Sequence, residues 1–210
     1  MRNLSEVVAP SKTAILVVDV QNDFCEPAGA SGKAGRNTDA AMAMIPTLQR
    51  FLSAAREHGT NVIFIQTIHE PSTDSDAWIG RRANPDAKNC LKDTWGAEFT
   101  GIAPRESEPV VIKHRYSAFV NTRLESVLRT LKVENIIVLG VATNVCVEST
   151  ARHGFMLDYN TVFVSDCSAG YDQTACEMTL RTHAMHFGPV ATAQEIMDTW
   201  AATHSVAAAV

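Results

Sequence analysis

Apolar positions along the chain follow two alternating rhythms. Thr13–Asp19, Asn61–Thr67, Glu108–Lys113, Asn135–Leu139, Tyr159–Asp166 and the shorter Pro189-Val-Ala-Thr are compact aliphatic or β-branched runs. Such runs suit strands covered on both faces. Between them the period changes to that of a helix. Thr38 to His58 carries Ala41, Met44, Ile45, Leu48, Phe51, Leu52 and Ala55 as one stripe, and Gly59 ends it. Asn121 to Leu131 places Leu124, Val127, Leu128 and Leu131 on one face. Further helices are predicted from near Asn144, from Gln173 to Phe187 behind an Asp172 cap, and from Ala193 to Thr203. The Ala-rich tail reads as a frayed end. Strands alternating with helices predict an α/β protein, a parallel sheet covered on both faces with right-handed crossovers.

One stretch breaks the alternation. His69 to Pro109 is polar and irregular, with prolines and glycines throughout, and a loop that long usually forms a lid or a substrate wall. His69, Glu70, Trp78, Arg81, Arg82 and Trp95 are its candidates for substrate contact, although a solvated loop with packed tryptophans is an equally good reading of any one. No repeat or linker divides the chain, so residues 1–210 read as one domain.

Composition narrows the partners. The net charge of −5 with no Lys or Arg cluster argues against nucleic acid and anionic membrane surfaces. The N-terminus, Met-Arg-Asn-Leu-Ser-Glu, has no apolar signal region, and no apolar run is long enough to span a membrane. The five cysteines, Cys25, Cys90, Cys146, Cys167 and Cys176, are odd in number and form no CxxC pair or zinc pattern. A reducing cytoplasm and free thiols follow as the expectation. Ala30-Ser-Gly-Lys-Ala34 lacks the glycine spacing and the hydroxyl of a phosphate loop. His183 and His186 stand i, i+3 on a helix, but no third ligand accompanies them, and packing or surface roles fit them better.

The chemistry gathers at three strand ends. Asp19 closes the first strand, Lys113 the third, and Cys146 follows the fourth within Gly140-Val-Ala-Thr-Asn-Val-Cys146. In a doubly wound sheet the C-terminal strand ends share one edge, where ligands bind. Taken singly, each has a plainer reading: a strand-end Asp common to many folds, a surface Lys, a buried structural Cys. Together they make a nucleophile, a proton shuttle and a charge organiser. A thiol in the first turn of a helix is expected to have a lowered pKa.

Leu16-Val-Val-Asp19-Val-Gln-Asn-Asp-Phe24, Lys113-His-Arg-Tyr-Ser-Ala-Phe119 and Gly140-Val-Ala-Thr-Asn-Val-Cys146-Val-Glu-Ser-Thr150 resemble, in order and spacing, the motifs of the isochorismatase-like cysteine hydrolases. The resemblance runs from about Thr13 to Val190. It implies a Rossmann-like, doubly wound six-stranded parallel sheet, usually in a homo-oligomer (dimer or tetramer), and a catalytic triad of Asp19, Lys113 and Cys146. It further implies a cis peptide between Val141 and Ala142, with the Ala142 and Cys146 N–H groups forming an oxyanion hole. Cys146 argues for amide chemistry, since isochorismate-cleaving members lack that nucleophile. Nicotinamidases of the family carry a metal site in an Asp-x-His pattern, where this chain has Thr67-Ile-His69, so neither a metal nor another cofactor is expected. The wording of the second and third motifs is most similar to ureidoacrylate hydrolases and their biuret and triuret relatives. A small ureido or carbamoyl amide is the expected substrate, with Asn22, Trp78, Tyr116 and Val141 as its contacts. Nicotinamide, N-carbamoyl amino acids and maleamate are the family alternatives. From other classes, a phosphate-accepting receiver module would leave Cys146 unexplained, and a non-catalytic binding module would leave the triad without purpose.

Overall fold

A computed structural model describes residues 3–81 and 88–207, with side chains through residue 203. Arg82 and the last three residues of the Ala-rich tail lie outside the described residues. Six strands form one sheet: β1 (Thr13–Val18), β2 (Asn61–Thr67), β3 (Val110–Lys113), β4 (Asn135–Val141), β5 (Asn160–Ala169) and β6 (Val190–Ala191). Their order is β3-β2-β1-β4-β5-β6, and every pairing is parallel. β1 and β4 are fully buried along their length, the reason their sequences show no polar alternation.

The sheet carries an apolar core on each face. On one, Asp39–Glu57 and Ala193–Ala207 lie over Ile15, Val17, Phe64, Ile137 and Leu139. Trp200 is locked there, stacked 5.4 Å from Phe51 and donating its indole N–H to the Val8 carbonyl at 2.7 Å. On the other, Leu124–Thr130 and Glu148–Met156 cover Leu16, Val18, Ile136 and Val138. Among the described residues no helix is long and apolar enough to cross a membrane.

The chain reverses its direction of winding between β1 and β4, so the crevice for a ligand opens at the ends of those two strands. The backbones approach closely there. Gly140 has φ of +120°, and a Cβ on it would fall 2.0 Å from the Val18 carbonyl oxygen, so only glycine fits.

Several element boundaries differ from the expectations: β4 runs on to Val141 and the last helix to Ala207, into the tail expected to fray. β5 runs on past Asp166 to Ala169, because a register shift opposite Val138–Gly140 absorbs the polar residues of the strand. The helix expected from Asn121 begins at Leu124, since Asn121 sits at φ of +53° in a turn. The helix expected near Asn144 opens as a π-helical turn, Thr143–Val147, and becomes α-helical at Glu148.

Candidate active site

Asp19, Lys113 and Cys146 meet at the base of one crevice. Asp19 follows β1, is wholly buried and takes φ of +53°, with its N–H on the Ile65 carbonyl at 3.0 Å. Lys113 ends β3, with β2 standing between it and β1. The long Lys side chain spans that gap, and its ammonium lies 2.7 Å from Asp19 Oδ2. Thr67, at the end of β2 and paired in register with Lys113, bridges them. Its hydroxyl accepts from Lys113 Nζ at 2.7 Å and donates to Asp19 Oδ1 at 2.9 Å. Lys113 Nζ also donates to the Arg115 carbonyl at 3.0 Å and to Cys146 Sγ at 3.5 Å. Sequence reasoning missed Thr67: its place at a strand end was visible, but its position between Asp19 and Lys113 follows only from the strand order.

Gln21 ties down the backbone beneath these groups. Its side-chain amide donates to the carbonyls of Thr67 and Ala97, and its oxygen accepts from the Thr67 N–H.

Burial dominates the electrostatics. It pushes the Cys146 thiol up from its ordinary 9.0 to about 12; Lys113 pulls the other way, and Asp19 adds to the rise. This corrects the expectation of a lowered pKa, which rested on the helix start alone and omitted burial and the neighbouring carboxylate. Burial also opposes the charge on Lys113, but the Asp19 carboxylate more than offsets it and raises the Lys113 pKa. At neutral pH the centre therefore rests as a protonated thiol beside an ammonium.

The Val141–Ala142 peptide is cis, as the resemblance implies. Val141, Ala142 and Cys146 line a cavity of about 820 Å³ together with Thr67 and Lys113. Trp78 and Tyr116 line it as well, their rings 4.8 Å apart, and so do His69 and Arg81. Asp76–Gly80 forms a short helix within the long loop, which thus builds one wall.

Other expected contacts lie elsewhere. Asn22 is buried behind the site, donating to the Trp95 carbonyl at 2.7 Å and accepting from Thr100 Oγ1 at 2.5 Å. Both ends of its amide are occupied and it does not line the cavity, so the expectation of substrate contact is corrected. Glu70 and Trp95 also lie outside the lining.

Conversely, Ser31, Arg36 and Tyr171 reach the cavity from segments the sequence did not connect with it. The Tyr171 hydroxyl pairs with Ser31 Oγ at 2.9 Å and donates to the Phe24 carbonyl, while Arg36 lies over its ring. Among the described residues, no three His, Cys, Asp or Glu side chains gather to hold a metal ion. His69 faces Asp74 at 3.0 Å, and His183 is buried against Phe163 while His186 is exposed.

Fold and site together define a doubly wound α/β protein with a buried Asp–Lys–Cys centre at the switch point of its sheet. The chain belongs to the isochorismatase family, whose domain model matches residues 13–195. It is 33% identical to the ureidoacrylate amidohydrolase RutB of Serratia proteamaculans, over 92% of this chain and 85% of that protein. To the same-named protein of Stutzerimonas stutzeri it is also 33% identical, over 95% of this chain and 87% of that one. Among solved structures, a cysteine hydrolase from Pseudomonas syringae pv. phaseolicola superposes with a TM-score of 0.83 at 30% identity. That match covers 92% of this chain and 94% of the other.

Proposed function

We propose that the protein is a cysteine-dependent amidohydrolase that cleaves a C–N bond of a small ureido or carbamoyl amide, of the ureidoacrylate, biuret or triuret type. The observation that carries the reading is the Cys146 thiol at the base of a cavity, within 3.5 Å of an ammonium that is itself 2.7 Å from a buried carboxylate. In this reading Asp19 takes the thiol proton as Cys146 Sγ attacks the carbonyl carbon. The carbonyl electrons move onto oxygen, which the Ala142 and Cys146 N–H groups receive. As the tetrahedral adduct collapses, the C–N bond breaks and Asp19 hands its proton to the departing ammonia or amine. Water then attacks the thioester, Asp19 accepts its proton, and as the C–S bond breaks Asp19 passes that proton to Sγ, returning both the thiol and the free carboxylate. Lys113 stays charged throughout and holds Asp19 anionic between proton transfers. The raised thiol pKa suits this order of events, because the proton leaves only when a carbonyl is there to take the sulfur electrons.

Residues 1–210 act in this reading as one catalytic domain, in the cytoplasm and as a homo-oligomer. The five free cysteines support the first location. Exposed Phe155, Met156, Leu157 and Met185 support the second, as apolar surface that a partner copy would cover.

The test is ammonia release from ureidoacrylate, biuret, triuret, N-carbamoyl amino acids, nicotinamide and maleamate. Turnover of a ureido or biuret-type compound is expected from the native protein, and none from Cys146→Ala. Ordinary turnover in that variant would sink the mechanism.

A further inference from the structure

The cavity in front of Cys146 is lined by Arg36, Arg81, Lys88 and Arg115, and by no aspartate or glutamate among the described residues. None of these four cations is ion-paired with a carboxylate among the described residues. In a chain whose net charge is −5, such a concentration of unneutralised positive charge around one cavity is a local feature, not a consequence of composition.

Two of the four are held in place. Arg115 donates from Nη1 to the carbonyls of Thr73 at 2.9 Å and His114 at 2.7 Å, and its Nε and Nη2 hydrogens meet no acceptor among the described residues. Its own carbonyl accepts from Lys113 Nζ, which fixes it beside the reacting centre. Arg81 donates to the Tyr116 hydroxyl at 2.6 Å and to the Trp78 carbonyl. Both guanidiniums lie over one indole: that of Arg81 at 3.4 Å and that of Arg115 at 4.8 Å from the Trp78 ring centroid. Like charges gathered on one ring repel unless an anion joins them. The Trp78 indole N–H is buried and donates to no acceptor among the described residues, whereas buried polar groups ordinarily find one.

We propose that the cavity takes an organic anion, and that Arg81 and Arg115 are specificity-determining residues that hold a substrate carboxylate while its ureido carbonyl is presented to Cys146. The planar fork of Arg matches a carboxylate in two parallel hydrogen bonds. This rests on the amidohydrolase reading and decides within it. The substrate is a ureido acid, and neutral biuret and triuret are poor fits.

The test compares 3-ureidopropionate with its methyl ester, which removes the charge and little else. Binding is measured by calorimetry on Cys146→Ala protein, and ammonia release on the native protein. The acid should bind about tenfold or more tightly than the ester, the range expected when hydrogen bonds to a charged group are lost. That ratio should fall toward one in Cys146→Ala carrying Arg81→Met, at an exposed side chain, and again with Arg115→Met. It should also shrink in high salt. Equal binding of acid and ester, or no measurable binding of the acid, overturns the proposal even if both are turned over. Selective binding of the acid without any ammonia release from the native protein upholds it and removes the amidohydrolase reading instead.

Discussion

The Lys113 ammonium stands 2.7 Å from Asp19 Oδ2, with Thr67 Oγ1, the Arg115 carbonyl and Cys146 Sγ also within its reach. An ammonium has three hydrogens, so these four acceptors share them. Asp19 Oδ1 accepts from the Thr67 hydroxyl, while Oδ2 faces the ammonium. The contact between the two charges is a buried ion pair, and the Cys146 thiol bears on the same carboxylate. A carboxylate placed against both a cation and a thiol is positioned to accept that thiol's proton.

Replacing Lys113 with methionine should expose how much that contact does. The variant leaves a wholly buried carboxylate without its cation, a change that typically costs 3–5 kcal/mol. Urea unfolding should show a loss of about that size, and turnover should fall by on the order of a hundredfold or more. The double variant Asp19→Asn/Lys113→Met should regain much of the stability and none of the activity. A single variant as stable as the native protein would mean that the pair does not hold the site together.

Thiol reactivity tests the electrostatics directly. Because burial pushes Cys146 up to about 12, resting protein should react slowly with iodoacetamide at neutral pH, and the rate should still be climbing above pH 9. Asp19 contributes to the rise, so Asp19→Asn should alkylate faster at the same pH. For stability the sign is fixed. A thiol whose pKa is raised by folding contributes stability that is whole below its ordinary 9.0 and is lost as pH rises toward about 12. Buried Cys25, also pushed up to about 12, adds to the same slope. Unfolding free energy should therefore decline from about pH 9 upward, and less steeply in Cys146→Ser/Cys25→Ala.

Much of this was legible in the chain. Continuous aliphatic runs revealed the strands because a doubly wound sheet buries both faces, and three strand ends revealed Asp19, Lys113 and Cys146 because topology alone brings such ends together. What escaped were properties fixed only by tertiary packing. The Thr67 bridge depends on β2 lying between β1 and β3, an order that runs of apolar residues do not encode. Asn22 beside the Asp19 motif looked available for substrate, but its amide is consumed by Trp95 and Thr100, some seventy residues further on. The thiol pKa was misjudged because local helix geometry was visible and burial was not.

His183 supplies an acid-side prediction. It lies buried against Phe163 and Phe187, and that burial lowers its pKa from 6.5 to about 4. A histidine held neutral by the fold contributes stability that is present above 6.5 and is lost as pH falls toward 4, by up to about 3 kcal/mol. Urea midpoints measured from pH 7 to pH 4 should fall accordingly, and His183→Gln should flatten that fall. An unchanged slope would place the acid sensitivity in other groups.

Asn22 separates two roles that its position beside Asp19 confuses. Its amide holds the Trp95 carbonyl and the Thr100 hydroxyl, and so clamps the segment around Trp95–Ala97 to the turn after β1. Asn22→Ala would leave a buried hydroxyl and a carbonyl short of partners, which costs about 1–3 kcal/mol for each group left unsatisfied. A residue that acts by clamping should lower stability by that order. KM should change little, since the side chain is outside the cavity lining. Asn22→Asp keeps the acceptor for Thr100 but sets a buried carboxylate against the Trp95 carbonyl, so it should be no more stable than Asn22→Ala. A large rise in KM at undiminished stability would instead make Asn22 a substrate contact, and would require the segment to move when substrate binds.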